Sequence, residues 1–254
     1  MIIKYDLYSG QLKRNVHIHM YLPDDYLSSQ QQYPVLYMFD GHNLFFDEDA
    51  TYGRSWRLLN YLYELPKPMI VVGLECNHEG LERLNEYAPY PFYDPDFSRG
   101  FEGRGRQTMN FIIRTLKPYV DLHFPTLPDR GHTWIAGSSC GGLMAIYALY
   151  AYSPYFSRAA ALSPYVLPSI SSLLTHINRQ RLRLPSALYL SWGAKEGNSA
   201  HEFVQETVAL TNLANILLKK GVKIQFDVSA AGEHCEAQWE SLAYTFLRFL
   251  ENEP

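Results

Sequence analysis

Ser139 is the middle residue of Gly137-Ser138-Ser139-Cys140-Gly141, a G-x-S-x-G pattern that ends the apolar run 133–137 and leads into a helical run, 141–150. A strand turning sharply into a helix holds that serine on a strained bend with its hydroxyl projecting outward. Flanking glycines remove the Cβ atoms that would collide at such a bend. The N-terminus of the new helix favours negative charge developing beside the serine. A serine between two glycines also occurs in plain turns, and it is the strand before and the helix after that point to a nucleophile. Ser138 falls in no such frame and reads as a small turn residue.

A serine nucleophile needs a base, and the base needs an orienting acid; in open α/β hydrolases both come later in the chain, the acid first. Residues 187–192 read as a buried strand that runs into Gly193-Ala194-Lys195-Glu196-Gly197, whose first carboxylate is Glu196. Residues 222–228 alternate apolar and polar, the period of a strand with one face covered. They empty into Ala231-Gly232-Glu233-His234, just before a helix that opens near Glu236. This predicts a Ser139–Glu196–His234 triad, with a bare Ser–His pair as the alternative. His17, His19, His78, His123, His132, His176 and His201 read as surface or capping residues. Asp227 lies inside a strand and turned from the core, and Glu233 is too close in sequence to His234 to face its ring.

Two backbone amides should receive the oxyanion. One belongs to Cys140, after the nucleophile. The other is expected on the loop after the strand that ends at Phe39, Asp40-Gly41-His42-Asn43, where Gly41 lets the chain aim the His42 N–H inward. An Asp-Gly pair is also a common strand-ending turn.

Three blocks carry a family resemblance: residues 34–46 around Asp40-Gly41-His42, residues 135–143 around Ser139, and residues 232–239 from Gly232 through His234 to Trp239. Together they resemble the putative-esterase family, the branch of the α/β hydrolases that holds S-formylglutathione hydrolases, feruloyl esterases, siderophore-trilactone esterases and mycolyltransferases. The likeness runs from about residue 15 to residue 250. It implies Ser139 as nucleophile, His234 as base, and the amides of His42 and Cys140 as oxyanion donors. The Gly193–Glu196 loop resembles the family's more variable acid block. Arg83-Leu84-Asn85-Glu86-Tyr87-Ala88-Pro89 resembles an Arg-x-x-Glu-x-x-Pro segment of many bacterial members.

Alternating strand and helix patterns argue an α/β chain with a mostly parallel, doubly wound sheet. Strands are expected near 2–8, 16–22, 34–39, 69–75, 133–137, 158–163, 187–192 and 222–228, the first two as an antiparallel N-terminal meander. Helices are expected near 55–64, 106–118, 141–150, 168–178, 200–220 and 236–250. The expected fold is therefore an α/β-hydrolase fold on eight strands, one domain over residues 1–254. Residues 76–105 show no period and are rich in aromatics and proline; loops this long are usually functional. They read as an active-site rim, with Tyr87 and Tyr90 joining Asp40, Asn43 and Trp239 as pocket residues.

Composition narrows the class. The chain has 254 residues, 47% of them hydrophobic, which is enough for a large core, and a formal charge of −4. With basic residues scattered, no nucleic-acid surface is expected. No apolar run reaches the roughly 18 residues of a membrane span, and the first residues alternate straight into a strand without signal-peptide architecture. Cys76, Cys140 and Cys235 form no metal-ligand or redox spacing, and three cysteines suit a reducing, cytoplasmic setting. No cofactor or metal is called for, and no residue specifies an oligomeric state. The expected activity is that of a serine carboxylesterase acting on a small-molecule ester of small or medium acyl size. Thioester hydrolysis such as that of S-formylglutathione, acyl transfer and siderophore-lactone hydrolysis use the same groups. A silent hydrolase fold serving as a binding protein would commonly have lost one of the three catalytic residues, and here all remain.

Overall fold

A computed structural model describes residues 1–95, 97–197 and 199–252. Among these described residues ten strands are formed: β1 (Ile2–Ser9), β2 (Arg14–Tyr21), β3 (Val35–Phe39), β4 (Ile70–Leu74), β5 (Phe92–Asp94), β6 (Arg99–Phe101), β7 (Thr133–Ser138), β8 (Arg158–Leu162), β9 (Ala187–Gly193) and β10 (Lys223–Ser229). Eight of them make one sheet in the order β1-β2-β4-β3-β7-β8-β9-β10, and β5 and β6 pair separately as a hairpin. β1 pairs antiparallel with β2, and β2 antiparallel with β4; every pairing from β4 to β10 is parallel. The α/β-hydrolase expectation, with its N-terminal meander, matches this sheet.

β3, β4, β7, β8 and β9 are buried along their whole length. That is the reason their sequences read as near-continuous apolar runs: parallel strands are covered on both faces. The helices are α1 (Leu59–Leu62), α2 (Glu82–Glu86), α3 (Gly105–Phe111), α4 (Lys117–His123), α5 (Cys140–Ala151), α6 (Ile170–Arg179), α7 (Ala200–Lys219), α8 (Glu236–Ser241) and α9 (Ala243–Glu251). The larger core cluster packs residues of α3, α5, α6 and α7 on one face of the sheet. A second cluster, with Trp56, Leu62, Trp239, Phe246 and Leu250, covers the other. α5 is apolar all round and almost wholly buried, as a helix held between sheet and outer helices must be.

Several expectations are corrected. The helix expected at 55–64 shrinks to α1, because Arg57 takes a positive φ of 46°, which no helix continues, while its guanidinium is held by Asp47. The 106–118 stretch is a longer run, α3 and α4 joined by a π turn at Ile112–Leu116. The last helix breaks at Leu242 into α8 and α9. Residues 76–105 are not structureless: they hold α2 and the β5–β6 hairpin. In β10 the apolar face is covered only at its start, where Val222 precedes it; Phe226 and Val228 are exposed, as this is the outermost strand.

The chain leaves β3 toward β4 on one side and returns through β7 on the other. The C-terminal ends of β3 and β7 therefore flank the point where strand order reverses, the place where open α/β sheets form a binding crevice.

Candidate active site

Ser139 occupies the bend between β7 and α5 with φ 54° and ψ −123°, a conformation that few non-glycine residues adopt. Its N–H donates to the Leu162 carbonyl and its own carbonyl accepts from Tyr165 N–H, so the strained residue is pinned from both sides. A Cβ on Gly137 would come within 2.7 Å of the Gly141 backbone. This is the close strand-to-helix approach for which the glycines were expected. Cys140 is the first residue of α5, so its N–H has no intrahelical acceptor.

Glu196 and His234 come together through a second glycine contact. A Cβ on Gly193 would overlap the Gly232 carbonyl, and Lys195 N–H donates to that carbonyl at 2.9 Å. The two loops are thereby locked side by side at the ends of β9 and β10. Glu196 Oε2 lies 3.3 Å from His234 Nδ1. Its other oxygen accepts from Ser163 Oγ at 2.8 Å and from Gly193 N–H at 2.5 Å. Ser163 in turn accepts from Trp239 Nε1 at 2.9 Å, and the Trp239 ring stands edge-on to the imidazole. Among the described residues no hydrogen bond joins Ser139 Oγ to the ring; such contacts often tighten only with substrate present.

Ser139 and His234 line one cavity of about 600 Å³ together with Asp40, His42, Asn43 and Trp239. His42 sits in the short turn Gly41–Asn43 after β3, introduced by Asp40 in the left-handed region with φ 57°. Two pocket expectations are corrected. Tyr87 is buried beneath the site: its hydroxyl accepts from Asp40 N–H and reaches the Leu74 carbonyl, and its ring packs on Phe39. Tyr90 is turned toward α5 and α6, where its hydroxyl meets Tyr150 and His176 Nδ1, each at 2.5 Å. Neither lines the cavity. His19, expected at the surface, is also buried.

Residues the sequence reading left without a role hold the site in place. Arg83 on α2 makes a two-point bond to Asp40, 2.8 and 2.7 Å, and Glu86 one turn later makes a two-point bond to Arg14 on β2. Burial alone would raise the Asp40 pKa, but the Arg83 charge and hydrogen bonds outweigh it and hold it below the usual carboxylate range. A second cavity, about 520 Å³, lies on the far side of Glu196 and His234 and is lined by Tyr93, Tyr165, Leu167 and Glu206. Burial and the nearby Glu196 charge push the Glu206 carboxyl up to about 7. Tyr93 was within reach of the rim argument, since it shares the aromatic segment with Tyr87 and Tyr90. Glu206, on α7, carried no sequence signal.

The pattern of the family described as putative esterase matches residues 9–249, and the chain belongs to that family. It is 22% identical over 207 residues to the uncharacterized protein YbbA of Bacillus subtilis, covering 81% of this chain and 79% of that protein. It is 28% identical over 177 residues to an esterase of Mycobacterium tuberculosis, covering 68% of this chain but only 34% of that longer protein. An IroE-like serine hydrolase from Shewanella oneidensis shares the fold with a TM-score of 0.78 at 21% identity, over 98% of this chain and 79% of the other. S-formylglutathione hydrolase FrmB from Staphylococcus aureus does so with a TM-score of 0.70 at 16% identity, over 99% and 96%. The chain is thus an esterase-type hydrolase on an α/β-hydrolase fold. Among the described residues no helix is long and apolar enough to cross a membrane.

Proposed function

We propose, taking membership of the putative-esterase family as the premise, that the chain is a serine carboxylesterase acting on esters of small or medium acyl groups. Ser139 Oγ attacks the ester carbonyl while His234 takes its proton; the same imidazole then gives the proton to the departing alcohol. Glu196 holds the ring through Nδ1 and stabilises the imidazolium. The amides of His42 and Cys140 receive the tetrahedral oxyanion. Water, activated by His234, attacks the acyl-enzyme and frees Ser139.

The observation that carries this reading is the convergence on one crevice of a strained serine at a helix N-terminus and a histidine held by a buried, doubly anchored carboxylate. Asp40, Asn43 and Trp239 contribute to the wall of the substrate cavity in this account. Activity against nitrophenyl esters of rising chain length, beside a feruloyl ester and a glutathione thioester, tests the reaction and ranks ester against thioester. A fluorophosphonate should label Ser139 alone. Ser139→Ala should remain folded and lose kcat by a factor on the order of 10⁴–10⁶. Stoichiometric labelling that persists in Ser139→Ala would remove this serine from the mechanism.

A further inference from the structure

Four histidines gather around one carboxylate beside the catalytic crevice. His17 and His19 project to the same side of β2, two residues apart, as strand geometry requires. Glu75 follows β4, and its N–H bonds the His17 carbonyl. His42 comes from the turn after β3, and His78 from the loop after β4. Glu75 Oε1 is bonded to His19 Nε2 at 2.6 Å, and Oε2 to His78 Nε2 at 3.0 Å. His42 Nε2 is held by Thr51 Oγ1 at 2.9 Å, while His42 Nδ1 is buried and has no hydrogen-bond partner among the described residues. A buried ring nitrogen without a partner is costly, and an ion is one of the few things that explains it.

We propose that His42, Glu75 and His78 form a binding site for one divalent cation of the Zn²⁺ class on the wall of the catalytic cavity. One ligand atom from each lies within 4.8 Å of the others. Ligands about 2.0–2.2 Å from a tetrahedral zinc stand roughly 3.3–3.6 Å apart, so a small closing movement completes the site. His78, with 53% of its side chain exposed, has the freedom to make it. The other contacts are those that metal-binding side chains need behind them: Thr51 fixes the His42 ring through Nε2, and His19 fixes Glu75 through Oε1. Two imidazoles and a carboxylate suit zinc, cobalt or nickel, not the oxygen-seeking Mg²⁺ or Ca²⁺. Three protein ligands leave a further position for water or an anionic group, and His42 and His78 both line the cavity. The ion takes the place of the hydrogen between His78 Nε2 and Glu75 Oε2: a neutral imidazole then keeps its one proton on Nδ1, and only a charged one releases a proton to solvent.

His17, His19 and Glu75 form a rival group of the same size. In it the His17 Nδ1 is already bonded to Asp6 at 2.7 Å, the unpartnered His19 Nδ1 has the Asp49 carboxylate 3.9 Å away, and neither histidine lines the catalytic cavity. Because His42 also carries a proposed oxyanion amide, occupancy would alter ester hydrolysis; that consequence rests on the proposed function, whereas binding itself does not.

The test uses chelator-treated full-length protein titrated with Zn²⁺ by calorimetry, and with Co²⁺ by visible absorption. One equivalent of Zn²⁺ should bind, and Co²⁺ should give d–d bands of a low-coordinate nitrogen–oxygen site. His78→Ala, at an exposed position, should weaken binding by a factor on the order of 10² or more, and His19→Gln by about 10–100-fold. His17→Ala should leave affinity unchanged, and millimolar Mg²⁺ should not compete. Absence of a stoichiometric Zn²⁺ site, unchanged affinity in His78→Ala, or loss in His17→Ala instead would each overturn the assignment. So would equal competition by Mg²⁺. None of these readings requires that Ser139 be a nucleophile.

Discussion

Replacing Glu196 by glutamine isolates what the carboxylate does, because the structure dictates how the new amide must lie. Glu196 Oε1 receives two donors, Ser163 O–H and Gly193 N–H, and the side chain is only 4% exposed. A glutamine can satisfy both donors only with its carbonyl oxygen, so its NH₂ is directed at His234 Nδ1. That nitrogen must then accept, which moves the ring proton to Nε2, the atom that has to take the proton from Ser139. The equivalent exchange in a serine protease triad leaves geometry intact and costs about 10⁴ in kcat. Here the Nδ1–Oε2 contact is a long 3.3 Å and about a third of the His234 side chain is exposed, so the ring retains some freedom to escape the wrong tautomer. The expected loss is therefore on the order of 10²–10⁴ in kcat, or about 2.7–5.4 kcal/mol at about 1.36 kcal/mol per tenfold. KM should change little, since the substitution touches no group on the Ser139 side of the ring. Steady-state kinetics on a nitrophenyl ester, with a melting curve to show the fold is unaltered, supply the measurement. Near-full activity in folded Glu196→Gln would refute the role of Glu196 and leave a Ser139–His234 pair as the better mechanism.

Two further outcomes follow from buried charges near the site. Arg83→Met strands the Asp40 carboxylate, a change that typically costs about 3–5 kcal/mol; the lower end is expected because 32% of the Arg83 side chain is exposed. The Asp40 pKa is depressed in the fold, so this contribution is present above the unfolded carboxylate value and lost as pH falls below about 4. Urea unfolding at pH 7 and at pH 3.5 should show the difference between the two proteins shrink; an equal difference at both would remove the ion pair as its cause. Glu206 has the opposite sign. Its carboxyl is raised from 4.5 to about 7, so the stability it contributes is present below the unfolded value and lost as pH rises through about 7. Glu206→Gln should therefore melt higher than the parent protein at pH 8 and close to it at pH 5, and a gap independent of pH would contradict the assigned environment.

The sheet was legible because burial and composition say the same thing in its middle. Five parallel strands covered on both faces must be apolar throughout, and each lies within a residue or two of where its run of Val, Ile, Leu and Ala placed it. The reading weakened where burial is one-sided or local. The 55–64 segment has helical composition, but the bond between Arg57 and Asp47 and the positive φ of Arg57 override it. β10 alternates well, yet an outermost strand leaves Phe226 and Val228 in solvent, so alternation there said less about which face is covered.

The candidate site divides along the same line, between residues fixed by backbone geometry and residues fixed by who their neighbours are. Ser139, Cys140 and His42 depend on glycines and turns a few positions away, and those are visible in sequence. The pairing of Glu196 with His234 depends on contact across 38 residues, but both loops advertise it with a glycine, Gly193 and Gly232, at the point where the backbones touch. Tyr87 and Tyr90 carry no such marker. An aromatic residue on a rim can turn its ring inward or outward with equal backbone cost. Here polar partners decide: Asp40 N–H draws the Tyr87 hydroxyl beneath the site, and Tyr150 with His176 draws that of Tyr90 toward the helices. Tyr93, three residues farther on, is the ring left to line a cavity. The histidine cluster was hidden for the same reason, since His17 and His19 lie within β2 while His42 and His78 come from the loops after β3 and β4, and the spatial order β2 beside β4 beside β3 differs from the order in the chain. A sequence shows which strands exist more readily than which lie side by side, and sites built across neighbouring strands become visible only when that order is known.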